Sequence, residues 1–558
     1  MSNEPEEKKP EIPATAVLIG GVGIGVMVFL GIGMFVMLFE QRATTYSLAT
    51  TTTPEAFVSA ALLRNGRPFA PDADTPRATP ATLSLNELPS FMTGSGSKWS
   101  NPLAEEFKGV GAGMPFFPHR ASTAHKNLDP SAFDSSAVCS ACHTEIHKQW
   151  SESVMSKSWV DPIYRAMLKR ASVATNGSVD NFCTGCHSPV GLTTGQINSD
   201  VSREPIEVAV KQNRVLPGVD CESCHNISAL TGMDNGAYVM TPRNNPEGMP
   251  QKYGPRKDAE SPYHKTAFSE LHTRSEFCSA CHNVTHPFSH APIERTFDEW
   301  QESSYNFNDK NCQSCHMPGF KGKSALTGKD REDVAAHTFT GGNLTLLNHF
   351  GLTAAAERSR EMLKKAGKIQ IVDTPQSIVA GRTARIKVKV SNVGAGHKLP
   401  TGFPEGREVW IDFQVKAQDG TELYRSGRVV EGRTEKGTRN FKVHLGDAED
   451  NEVELEVWKV THIISDNRIL PGGYSIVEYN VPIPDNAAGP VTIHASLKYW
   501  PFSQSTVDEL LGPGAMKVEV VDMAEDSQTV DLTGRPPTVA LSAARDGPNG
   551  SPTAASIP

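Results

Sequence analysis

Cys139-Ser140-Ala141-Cys142-His143 is the first of five runs built to one plan. The others are Cys183-Thr184-Gly185-Cys186-His187, Cys221-Glu222-Ser223-Cys224-His225, Cys278-Ser279-Ala280-Cys281-His282 and Cys312-Gln313-Ser314-Cys315-His316. All ten cysteines of the chain fall in these Cys-x-x-Cys-His motifs. The spacing has a chemical reason: two thiols one helical turn apart add to the two vinyl groups on one edge of a porphyrin, and the adjoining imidazole reaches the iron. A zinc ribbon needs no histidine after every pair, and a disulfide framework needs no x-x spacing. The motifs therefore predict five covalently bound haem c groups, with His143, His187, His225, His282 and His316 as the proximal iron ligands.

The chain has 558 residues, 38% of them hydrophobic, and a formal net charge of −9. Porphyrins supply apolar surface of their own, so a modest hydrophobic content still allows a packed interior. The acidic balance excludes a nucleic-acid partner and favours a protein partner with a basic docking face.

The chain divides by composition. Residues 1–13 (MSNEPEEKKPEIP) are polar and read as a cytoplasmic tail. Residues 14–39 are uncharged and apolar, long enough for a transmembrane anchor, with Gly21 and Gly25 forming a GxxxG face. Residues 40–115 are a Thr/Ala/Pro-rich tether, and 116–367 a pentahaem domain of helices and loops. From residue 368 the period changes to two: Ile386, Val388 and Val390 alternate with Arg385, Lys387 and Lys389, and Val409, Ile411, Phe413 and Val415 share a face. This predicts an all-β sandwich over 368–524 and a disordered tail over 525–558. The expected fold class is multidomain: an N-terminal transmembrane helix, a mainly α/loop multihaem cytochrome c domain and a C-terminal all-β sandwich domain.

The haem region carries an internal repeat. His125-Lys126 precedes Cys139 as His264-Lys265 precedes Cys278; His147 follows His143 as His286 follows His282; Trp150 corresponds to Trp300. Two dihaem units (motifs one and two, motifs four and five) around a central third haem is the arrangement this suggests. The repeat makes His125 and His264 candidates for the second axial ligand of an iron. His147 is a further candidate, one turn beyond a proximal histidine, with His272, His286 and the thioether of Met155 in reserve. His444, His462 and His494 lie among strands and are read as non-ligands.

The phrases GVDCESCH, SEFCSACHNVTHP, APIERTFDEWQESSY, CQSCHMPG and NVGAGHKLPTGFPEGREVW resemble the cytochrome c-554-like multihaem cytochromes, relatives of the hydroxylamine oxidoreductase superfamily. The resemblance covers about residues 120–520. It implies closely packed, mostly bis-histidine haems that pass single electrons. It also implies distal roles for His337, soon after the last motif, and for His397 in GAGHKLPTG, through which the β domain would cap a haem.

The function expected is a membrane-anchored electron relay without a catalytic residue, on the outer, periplasmic face of a bacterial cytoplasmic membrane, with the N-terminus in the cytoplasm. Its partners would be a membrane-embedded redox complex reached through the anchor helix and a soluble or extracellular electron carrier. Two alternatives stand beside it: a haem enzyme with one open iron acting on nitrogen or sulfur oxyanions, and a quinol dehydrogenase subunit. No Cys-x-x-Cys-Lys motif, which marks the catalytic haem in one related branch, is present.

Overall fold

The computed structural model describes residues 63–64, 67–68, 122–123, 128–211, 218–403 and 406–534. Residues 1–71 form one unit and 72–558 another. The described part of the first is a two-stranded antiparallel ladder, Leu63–Arg64 against Arg67–Pro68.

In the second unit, residues 128–366 form short helices joined by turns: α1 (Ser136–Ser140), α2 (Thr144–Ser151), α3 (Pro162–Ala174), α4 (Asp180–His187), α5 (Cys221–His225), α6 (Glu276–Ser279), α7 (Thr296–Gln301), α8 (Cys312–His316) and α9 (Thr353–Ala366). A short strand, β1 (Pro292–Glu294), precedes α7. Each Cys-x-x-Cys-His motif lies on a helical turn or starts from one, which puts residues three and four apart on one face and aims both thiols and the imidazole the same way. Local caps start these turns. The Asp220 carboxylate accepts the Ser223 N–H at 2.8 Å and the Asn311 side chain accepts the Ser314 N–H at 2.9 Å, at the heads of α5 and α8. The aliphatic core of this region is broken into small groups, such as Ala171, Val179 and Trp458, or Trp159, Leu168 and Ile197.

Helix α9 passes without a loop into β2 (Gly367–Asp373), and the strands of the two principal sheets follow: β3 (Ser377–Val379), β4 (Thr383–Asn392), β5 (Glu408–Lys416), β6 (Glu422–Ser426), β7 (Tyr474–Pro482), β8 (Val491–Trp500) and β9 (Val521–Thr533), with the short Asn440–Phe441 beside β5. One sheet has the order β2-β4-β7 and the other β3-β9-β8-β5-β6. Their facing rows form the principal apolar core: Ile386, Val388 and Val390 on β4, Val409, Ile411, Phe413 and Val415 on β5, Val491, Ile493, Ala495 and Leu497 on β8. Phe413 and Tyr479 stack across it with ring centroids 4.0 Å apart. The outer face of β5 and β8 is covered too, with Trp410 and Trp500 packed on Val507, Met516 and Val518.

The expected fold class is corrected in two respects. Among the described residues no helix is long and apolar enough to cross a membrane. Helix α9, at 14 residues, is charged along its length and spans roughly 21 Å against a hydrocarbon core of about 30 Å. Residues 14–39, read as the anchor, lie outside the described residues. The single-pass anchor and the membrane location are therefore withdrawn. The all-β sandwich is corrected to a half-barrel. Strand β2 runs beside β9, where the Asp526 carboxylate accepts the Ile371 N–H and the Gln528 amide donates to the Ile371 carbonyl, both at 2.8 Å, so the two sheets join along one edge. Strand β9 also continues through residues 525–533, which were expected to begin a disordered tail. Its polar outward row hid the strand, while its inward Val530 is buried.

Candidate functional site

Nine of the ten motif cysteines and all five motif histidines line one continuous cavity of about 2530 Å³. Small-molecule pockets are about 300–1,000 Å³, so this space suits several macrocycles side by side. Cys183 alone stays off the cavity wall, and burial pushes its thiol up to about 12. None of the ten cysteines is in a disulfide.

The proximal histidines share one orientation. The Nδ1 atoms of His143, His225 and His316 lie 2.7, 2.7 and 2.6 Å from the carbonyls of Ser324, Tyr253 and Thr340, and that of His187 lies 3.2 Å from the Ser158 carbonyl. A carbonyl accepts from Nδ1–H, so each ring presents an unprotonated Nε2 to a metal. His282 differs: its Nδ1 faces the carboxylate of Glu294 at 3.6 Å. Burial alone would lower the His282 pKa, yet Glu294 raises it to about 9.

Three proximal rings face a second imidazole. Imidazole nitrogens sit about 2.0–2.1 Å from a first-row metal ion, so two rings on opposite sides of one ion have centroids roughly 6 Å apart. His143 and His264 are 6.4 Å apart with planes 27° apart, His225 and His337 6.3 Å and 24°, and His316 and His397 6.5 Å and 15°. In each second ring Nδ1 lies against a nearby carbonyl, Lys265, Ala335 or Lys398, at 3.2, 2.9 and 3.0 Å, and Nε2 is left for the metal. Burial holds the pKa of all three below the usual histidine value, at about 4 for His337, which keeps them in the neutral, ligating form. His272 also approaches His225, at 5.7 Å, but its Nε2 is taken by the Cys224 carbonyl at 3.2 Å. These residues fit haem c: paired thiols for the thioethers, oriented imidazoles for the irons and an enclosed space for the rings.

The motifs also touch one another. The Cys139 thiol is shifted electrostatically by Cys221, that of Cys312 by Cys278, that of Cys281 by Cys186 and that of Cys224 by Cys281. Motif one thus adjoins three, and motif four adjoins two, three and five.

The sequence model of the family described as cytochrome c554 and c-prime matches residues 138–226, the stretch with the first three motifs. Over that stretch the chain is similar to the multihaem c-type cytochromes. Among solved structures, a penta-heme cytochrome c552 from Thermochromatium tepidum is similar at 18% identity and a TM-score of 0.51, covering 72% of this chain and all of that one. That likeness is one of fold. The CARDB domain of a Pyrococcus furiosus protein is 13% identical over 30% of this chain and 86% of its own, with a TM-score of 0.14, and carries no argument. No curated protein matches.

The remaining candidates fall out as follows. His125 lies outside the described residues. His264, which precedes the fourth motif in sequence, faces His143 of the first. His147 and Met155 line the cavity, and neither faces a second histidine ring. His286 is removed from the ligand set: it is fully buried away from the cavity, its Nε2 lies 3.1 Å from the Trp458 carbonyl, and its Nδ1 accepts the Phe288 and Ser289 N–H groups. Both ring nitrogens are committed.

Three features were not read from the sequence. Tyr164 lies flat on His187, centroids 3.7 Å apart with planes 2° apart. Glu294 stands behind His282. The His397 turn is bolted to the haem region by buried charge: Arg468 pairs with Glu299 of α7 and with Asp466, each at 2.8 Å, and Lys398 with Asp466 at 2.7 Å. Thr401 donates to the Glu299 carboxylate at 2.6 Å. Arg468 and Asp466 are near neighbours, but Glu299 and Lys398 lie far from them in sequence, and no local pattern marks the cluster.

Proposed function

We propose that this chain carries five haem c groups, one on each Cys-x-x-Cys-His motif, and passes single electrons along them between two redox partners. The observation that carries the reading is the single cavity onto which all five motif histidines open, with three of them facing a second imidazole at the separation one iron requires. Haem supplies the one-electron chemistry; the protein's own work is to hold the rings in contact, saturate irons and exclude water. His264, His337 and His397 serve as distal ligands opposite His143, His225 and His316. The net charge of −9 favours partners that dock through basic faces.

A second reading has one observation in its favour. Among the described residues no imidazole ring faces His187 or His282, and an open iron there would suit a small oxyanion of nitrogen or sulfur. Haem quantification and low-temperature EPR of the oxidised protein separate the two. Five haems per chain with low-spin signals alone are expected for the relay. A stoichiometric high-spin signal would shift the assignment to the enzyme, and fewer than five haems would sink the pentahaem reading.

A further inference from the structure

Four proximal histidines rest Nδ1 on a backbone carbonyl, and His282 rests it on a carboxylate. Glu294 reaches His282 from β1, which pairs with Val284–Thr285, two residues past His282. The carboxylate is 13% exposed, and the Thr296 hydroxyl donates to it at 3.2 Å. Thr296 Oγ1 lies 2.9 Å from Thr401 Oγ1, so the half-barrel packs directly against the pair. Motif four is also the junction of the array, within electrostatic reach of motifs two, three and five.

A carboxylate is a stronger acceptor than a peptide carbonyl. At 3.6 Å its full negative charge stands behind the imidazole and favours the higher charge on the metal. Burial keeps the effect from being screened. Resting on the five-haem reading above, we propose that Glu294 is a positioning residue that makes the junction haem, on Cys278, Cys281 and His282, the hardest of the five to reduce. Electrons arriving from motif three would then pass through it without settling, and come to rest on the outer haems of motifs two and five. In each step one neighbouring ferrous haem gives one electron to the ferric junction haem, which hands it to the next ferric haem.

The test is potentiometric titration of the full holoprotein, followed by visible absorption and EPR, for the wild type, Glu294→Gln and Glu294→Asp. In Glu294→Gln the lowest-potential component should shift about tenfold toward its ferrous form, which is about 59 mV for a one-electron couple, with a changed g-tensor for one haem only. Glu294→Asp keeps the charge and should shift in the same direction by less. An unmoved lowest component, or a shift shared equally by all five, would overturn the proposal. Pyridine haemochrome and peptide mass analysis of the wild type test the underlying reading separately: a missing thioether at Cys278 or Cys281 would defeat both.

Discussion

His225 has two histidines in reach, and hydrogen bonding chooses between them. His337 is tied through Nδ1 and offers Nε2 at a centroid separation of 6.3 Å. His272 spends Nε2 on a carbonyl, and burial with the charge of His225 lowers its pKa to about 3. We predict that His337→Ala converts one haem in five from low to high spin in the EPR spectrum, and that His272→Ala leaves the low-spin count unchanged. The same reasoning removes His286, whose position in the repeat made it equivalent to His147. Spacing from a motif says where a histidine sits along the chain, whereas its free nitrogen depends on which carbonyls fold against it.

At the level of elements, the repeat has a physical meaning different from the one expected. The Trp150 indole donates to the Val219 carbonyl at 2.9 Å, and the Trp300 indole to the Lys310 carbonyl at 2.7 Å. Each acceptor lies two residues before a motif, the third and the fifth. Ser153 and Ser303 repeat as well, each hydroxyl donating to the carbonyl of its tryptophan at 2.7 Å. Motifs three and five share the Asp220/Ser223 and Asn311/Ser314 caps. The equivalent pairs are thus one with three and four with five, and motif two is the insertion, where two flanking dihaem units around a central third haem were expected. The other decisive element contact is the ion cluster under the His397 turn. Arg468→Met would leave Glu299 charged and buried without its partner, a loss of about 3–5 kcal/mol. Guanidinium unfolding should register that loss, and the EPR signal of the His316 haem should broaden as the turn loosens.

Over the whole molecule, the cavity decides what holds the haem region together. The cavity of about 2530 Å³ lies where the aliphatic groups are small and scattered, so under the proposed function the macrocycles would fill it as this region's core. The half-barrel has its own continuous core from Ile369 to Val530. Chain made without haem attachment should therefore be cut rapidly between 128 and 340 by a dilute protease, while a fragment beginning near 344 persists. Equal survival of both regions would contradict this division of the core.

Covalent chemistry is local, so five consecutive residues sufficed to reveal each attachment site, and period-two alternation on β4, β5 and β8 sufficed to reveal strands whose inward rows are buried. The half-barrel closure was not legible, because it depends on side chains of β9 meeting the backbone of β2 more than 150 positions away. His264 and His397 were legible as candidate distal ligands but not as the rings that face His143 and His316. Which ring faces which is set by contacts across the cavity, and so is the carboxylate behind His282: such pairings carry no sequence period, since the packing of separate elements alone brings them within a few ångströms.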